Sequence, residues 1–145
     1  MYQRPGTLTK LSNGLVSVLA GLGLSPKRTV QLEVKGRNSG RTRSTVVNTV
    51  EAGGREYLVA PRGNTEWSRN VRAAGEAVIR RGGSRRTVRL EEIPIDQRAP
   101  IIQAYLKENA MVTKAHFGIE PGAPIEEFHR IADRHPVFRI VEQPA

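Results

Sequence analysis

The sequence predicts a mainly β fold with added helices (β+α): about six antiparallel strands forming a small barrel. Three observations predict it. Short segments with apolar residues at alternate positions recur along the chain, glycine-containing turns separate them at hairpin distance, and helical apolar spacing is confined to a few stretches. The 145 residues, 38% of them apolar, suffice for one packed core, so residues 1–145 are expected to be a single domain.

Leu8, Leu11, Leu15, Val18, Leu19 and Leu22 share one helix face, which predicts an N-terminal helix over residues 7–23. Thr7 can cap its start, and Gly21 and Gly23 lie where it should stop. The stripe reads as a lid on the core, with peripheral membrane contact as the second reading; its polar face carries only Lys10 as a cation. Residues 29–34 alternate with period two and read as a strand, followed by a polar turn over 35–41. A second strand is expected over 45–50, a Gly53-Gly54 turn, and a third strand over 57–60, broken at Pro61-Arg62-Gly63-Asn64. Residues 66–74 read as a short helix closed by Gly75. Residues 77–79 and 87–90 form a further hairpin turning at Gly82-Gly83. A helix is expected over 95–109, burying Ile101, Ile102, Tyr105 and Leu106, then a loop over 111–124, a helix over 125–134 and a last strand over 136–141.

The net charge of +9 is unevenly spread. Residues 27–89 hold 15 Lys or Arg and 5 acids, a balance of +10, whereas the rest of the chain is close to neutral. Eighteen of the 23 basic residues are arginine, whose planar fork suits phosphate and carboxylate oxygens. The middle of the chain is therefore expected to attract an anion, against the plainer reading of a solvated basic surface.

Several chemistries are excluded. With no cysteine there are no disulfides, iron–sulfur clusters, thiolate zinc sites or cysteine nucleophiles, which fits a reducing, cytoplasmic compartment. No run of about 18 apolar residues is present, and the first five residues lack the basic-then-apolar pattern of a secretory leader. His116, His129 and His135 do not share ligand spacing, so no metal is expected. Dinucleotide, Walker and esterase signatures are absent, and no carboxylate pair stands out as acid and base.

Two motifs carry chemistry. Gly36-Arg37-Asn38-Ser39-Gly40-Arg41-Thr42-Arg43 lies at a strand-to-strand turn, where glycines expose backbone N–H groups and three arginines can fork onto oxyanions. Ala60-Pro61-Arg62-Gly63-Asn64-Thr65-Glu66-Trp67-Ser68-Arg69-Asn70 joins a strand end to a helix start, another anion-tolerant geometry. Trp67, the only tryptophan, reads equally as a core aromatic or a ligand-facing one.

At these motifs the sequence resembles the deazaflavin-dependent nitroreductases, a family of actinobacterial F-420H2-dependent reductases with an FMN-binding split-barrel-like fold. The matching pattern is Gly-Arg-x-Ser-Gly-x-x-Arg, an apolar strand, then Ala-x-Arg-Gly with Trp-x-x-Asn downstream, over residues 36–74. A weaker likeness runs from Thr7 to the Arg134–Ile140 segment. The resemblance implies that coenzyme F-420 lays its phosphodiester and polyglutamate tail against Arg37, Asn38, Ser39, Arg41 and Arg43. Thr45, Val46 and Val47, with Ala60, Pro61, Arg62 and Gly63, would line the deazaflavin, and Trp67 and Asn70 would complete the wall. Arg62 stands where lysine is common in the family, and Met111, His116 and Phe117 (with Phe128) stand where the nitroimidazole-activating members place a tyrosine cluster.

The reaction so implied is hydride transfer to an electron-poor small molecule: an activated alkene such as an unsaturated lactone, a quinone or a nitro compound. The coenzyme carries the hard step and the protein supplies orientation and dryness. No catalytic residue is assigned; the proton is expected from water, with His116 the best side-chain candidate. The rival readings are a basic nucleic-acid-binding barrel and an FMN- or haem-binding split barrel. Aromatics at 5% leave few rings for base stacking, so no nucleic-acid partner is expected, and the arginine-rich turn favours a more anionic cofactor than FMN. Monomer and homodimer both stay open.

Overall fold

The computed structural model describes residues 28–108 and 117–142. The expected N-terminal helix lies outside these, as do Met111 and His116. The described residues hold six strands: β1 (Thr29–Lys35), β2 (Thr42–Ala52), β3 (Arg55–Val59), β4 (Glu76–Arg81), β5 (Ser84–Glu92) and β6 (Val137–Glu142). They close into a barrel in the order β1-β2-β3-β6-β5-β4, all neighbours antiparallel. The helices are α1 (Glu66–Ala74), α2 (Ala99–Glu108) and α3 (Ile125–Ile131).

The period-two pattern explains the two layers of core. Val30, Leu32 and Val34 of β1 point into the barrel and meet Leu58, Ile79, Val88, Leu90 and Phe138 from the other strands. Residues of the opposite parity, Val50 of β2, Val59 of β3 and Val137 of β6, face outward and are covered by Ile102, Tyr105, Leu106, Phe128 and Ile131 of α2 and α3. β2 therefore has helix on one side and barrel on the other, and Val47, Asn48, Thr49 and Val50 are all buried. This central position positions the site, because the motif turn feeds into β2.

Three expectations need correction. β2 begins at Thr42 and ends at Ala52, longer at both ends than the 45–50 segment, because Lys35 pairs with Thr42 and Ala52 with Arg55. The continuous helix expected over 95–109 is divided: a 3-10 turn at Ile95–Gln97 precedes α2, which starts at Ala99. Pro100 is the reason. It has no N–H to offer the carbonyl of residue 96, but it is tolerated in a first helical turn, so the helix restarts there. Likewise α3 ends at Ile131 and tightens into a 3-10 turn over Ala132–Arg134.

Candidate functional site

The β1–β2 turn is built on its own backbone. Gly36 N–H donates to the Arg41 carbonyl at 2.7 Å and Gly40 N–H to the Gly36 carbonyl at 3.0 Å, while Ser39 Oγ accepts the Arg41 N–H at 3.2 Å. A Cβ at Gly36 would sit 3.0 Å from Ser39 Oγ and 3.2 Å from the Arg41 carbonyl, so the turn needs glycine there. Helix α1 anchors it from outside. Asn70, 4% exposed, accepts the Arg37 backbone N–H at 3.0 Å and Arg37 Nη1 at 2.8 Å. Glu66, one helical turn earlier on the same face, takes both ends of the Arg37 fork at 3.2 Å.

The β3–α1 loop is held by the segment before β6. Ala60 N–H donates to the Pro136 carbonyl at 2.9 Å, and His135, 4% exposed, places Nδ1 3.1 Å from the Ala60 carbonyl. A carbonyl only accepts, so Nδ1 carries the hydrogen. Gly63 adopts φ +94°, and a Cβ on it would approach the Arg134 carbonyl to 3.2 Å. Behind this contact lies Arg98, 6% exposed, which donates to the carbonyls of Ile93 (2.8 Å) and Ala132 (3.1 Å) and to Glu92 (3.0 Å). Burial lowers the pKa of Arg98, and Glu92 works against that shift.

Between the turn, β2, the β3–α1 loop and α1 lies a cavity of about 560 Å³. Val34, Val46, Val47, Val59, Pro61 and Trp67 supply apolar wall, with Trp67 packed against Phe138 at 6.0 Å between ring centroids. Arg43 and Arg62 line it too, and among the described residues neither forms an ion pair. Glu66 is the one carboxylate that the described residues bring to the lining; Arg37, and then Arg69 and Arg43, hold it below the usual carboxylate range. Tyr105 closes the inner side, and burial pushes its hydroxyl well above the ordinary phenol range. Thr65 Oγ1, at the N-cap of α1, is buried with no hydrogen-bond partner among the described residues. An apolar slot with two uncommitted guanidiniums and one orphaned hydroxyl suits a flat ring bearing an anionic tail.

Of the residues expected at a cofactor, Arg43, Thr45, Val46, Val47, Pro61, Arg62, Trp67 and Asn70 line this cavity. Arg37, Asn38, Ser39 and Arg41 stand on the adjoining turn instead, Arg37 being committed to Glu66 and Asn70. Ala60 and Gly63 are held against residues 134–136 and shape the loop from behind. Phe117, expected at the substrate pocket, is placed in the outer core, 3% exposed, with its ring against Tyr105 and His135. It is one side chain back from the cavity, because the apolar α2 layer takes up its ring. Val34, Ser44, Asn48, Val59 and Tyr105 line the cavity without having been expected there, and Thr65 and Glu66, part of the second motif, line it without having been singled out as contacts. Glu66 and Tyr105 were legible only as a helix start and a buried helix face.

No curated protein matches the chain. Among solved structures it is similar to protein Atu2129 of Agrobacterium tumefaciens, of unknown function, at 19% identity and a TM-score of 0.52 over 80% of this chain and 49% of that one. The chain thus spans about half the length of that protein. It is similar to HutZ, the heme storage protein of Vibrio cholerae, at 10% identity and a TM-score of 0.52, covering 93% and 92% of the two chains. A putative pyridoxamine 5′-phosphate oxidase of Listeria innocua gives 10%, 0.52, 92% and 94% in the same order. At these identities the likeness is one of fold, the split barrel. A family model described as F420H(2)-dependent quinone reductase matches residues 13–125.

Proposed function

Because the chain belongs to the F420H(2)-dependent quinone reductase family, and so is an oxidoreductase, we propose that it reduces an electron-poor small molecule held beside coenzyme F-420 in the cavity described above. When bound, the reduced deazaflavin supplies the hydride. The observation that carries the reading is the cavity's composition: apolar wall from Val34, Val46, Val47, Pro61 and Trp67, with Arg43 and Arg62, which form no ion pair among the described residues, on the same lining. The valines and Trp67 would hold a flat ring and exclude water from it. Arg43 and Arg62 would take the phosphodiester, and Arg41, Asn38 and Ser39 on the exposed turn would extend the track for the tail carboxylates. Thr65 Oγ1 offers a further hydrogen bond that nothing else in the described residues takes up.

The proton is assigned to solvent. Tyr105 holds its proton more tightly than an ordinary phenol, and the Nδ1 hydrogen of His135 is used on the Ala60 carbonyl. Quinones, unsaturated lactones and nitro compounds are the acceptor class, since each can take a hydride at an electron-poor centre. Among the described residues no helix is long and apolar enough to cross a membrane.

Titration of oxidised F-420, followed by its own fluorescence and by quenching of Trp67, tests the reading. Micromolar binding is expected, weakened about tenfold or more in Arg43→Ala and in Arg62→Ala, as loss of a charge-assisted hydrogen bond implies. Binding of FMN at these residues with no response to F-420 would overturn the choice of cofactor.

A further inference from the structure

Glu66 is an acid on the lining of a cavity otherwise equipped for anions. Its carboxylate is 77% exposed, yet it is held in a bidentate pair by Arg37 and approached by Arg69 at 3.9 Å. Arg37 is in turn fixed by Asn70, so its guanidinium stays at the edge of the site whether or not Glu66 is paired with it. A carboxylate in that position presents to Arg37 the same two-oxygen face that a phosphate or carboxylate of a ligand would present. The first turn of a helix welcomes an acid for its own sake, so stability alone does not reveal the role.

We propose that Glu66 is an internal counter-anion and a specificity-determining residue: it occupies Arg37 where a ligand oxyanion would bind, and so sets how much negative charge a ligand must bring. This rests on reading the cavity as the coenzyme site. A ligand with one anionic group can settle on Arg43 and Arg62 and leave the Arg37–Glu66 pair intact. An extended polyanion reaches Arg37, displaces Glu66 and gains a third guanidinium. The displaced carboxylate then faces solvent, which its exposure permits, and stays within the field of Arg69.

Glu66→Gln keeps the shape of the side chain and one oxygen for Arg37 but removes the charge. Asp96→Asn is the control: it changes the net charge equally at an exposed residue that does not line the cavity. Both are titrated with tripolyphosphate and with oxidised F-420, read by Trp67 fluorescence. At low ionic strength Glu66→Gln should bind tripolyphosphate about three- to tenfold tighter than the parent, the scale of a surface charge pair acting on a polyanion. Asp96→Asn should not change, and the gain should shrink towards none near 1 M salt, where the screening length is about 3 Å. Inorganic phosphate should gain less than tripolyphosphate.

Equal or weaker tripolyphosphate binding by Glu66→Gln overturns the proposal, as does an equal gain in Asp96→Asn or no binding to any of the three proteins. If F-420 binds none of them while tripolyphosphate still discriminates, the coenzyme reading falls and the role of Glu66 stands. If F-420 binds all three equally and tripolyphosphate does too, the reverse holds.

Discussion

Arg98 is a buried cation, and its donors reach the Ile93 and Ala132 carbonyls and the Glu92 carboxylate. It thereby ties the strand-to-helix linker to the 3-10 turn that follows α3. Removing it takes the charged donor from the Ile93 carbonyl, leaves the Ala132 carbonyl only the His135 N–H, and breaks the pair with Glu92, so Arg98→Ala should lose about 3 kcal/mol in urea unfolding, while a surface change such as Arg89→Ala should lose well under 1 kcal/mol. Nothing in the sequence marked Arg98 out. In a continuous helix over 95–109 it would have been one more solvated arginine, and it is the interruption at Pro100 that turns it inward. Glu66 was hidden for a related reason: an acid in the first turn of a helix is ordinary, and only the approach of Arg37 from 29 residues away gives it a second meaning. Trp67 was legible as core or ligand wall; it packs against Phe138 of the barrel core and also lines the cavity.

At the scale of elements, the chain-local parts of the site were readable and the long-range parts were not. The Gly36–Arg43 turn and the Ala60–Asn70 strand-to-helix junction are set by glycines, turn residues and a helix start within a few positions, which leave a local signature. Val59 and Tyr105 reach the cavity through the packing of α2 across β2 and β3, which apolar spacing alone does not report. The loop Ala60–Gly63 is a case in between. Its glycine was visible, but its mould, the carbonyl of Arg134 and the ring of His135, comes from the far end of the chain. Gly63→Ala should therefore cost about 1–3 kcal/mol from the positive φ together with the close carbonyl. It should also weaken F-420 binding beyond what the stability loss explains, measured by titration well below the melting temperature.

For the whole molecule, the fold class and all six strands followed from alternation and turn spacing, and the excess of charge falls on the segment that carries most of the cavity lining. The amount of free charge was smaller than the count implied. Arg80 and Arg85 share Glu33, and Arg81 and Arg86 share Glu56, with Arg86 also on Glu142, so much of the +10 segment is consumed in ion pairs across the barrel exterior. These pairs make stability depend on pH. Burial alone would raise the pKa of Glu56, but Arg81 and Arg86 bring it below its ordinary value; Glu92 is lowered chiefly by Arg72. A carboxylate more acidic in the folded state stabilises above its unfolded pKa, near 4.3, and loses that contribution as the pH falls through its folded value. The urea midpoint should thus hold from pH 7 to about pH 5 and fall below it, and Glu92→Gln should flatten part of the fall. The barrel order has a consequence in time as well as in space. β6 lies between β3 and β5, so the strand that comes latest in the chain among the described residues is the one that closes the ring. Until residues 134–142 emerge, the loop opposite the motif turn has been made but has no mould to set it. The arginines of the motif turn thus precede the cavity beside them, which is complete only once residues 134–142 are in place.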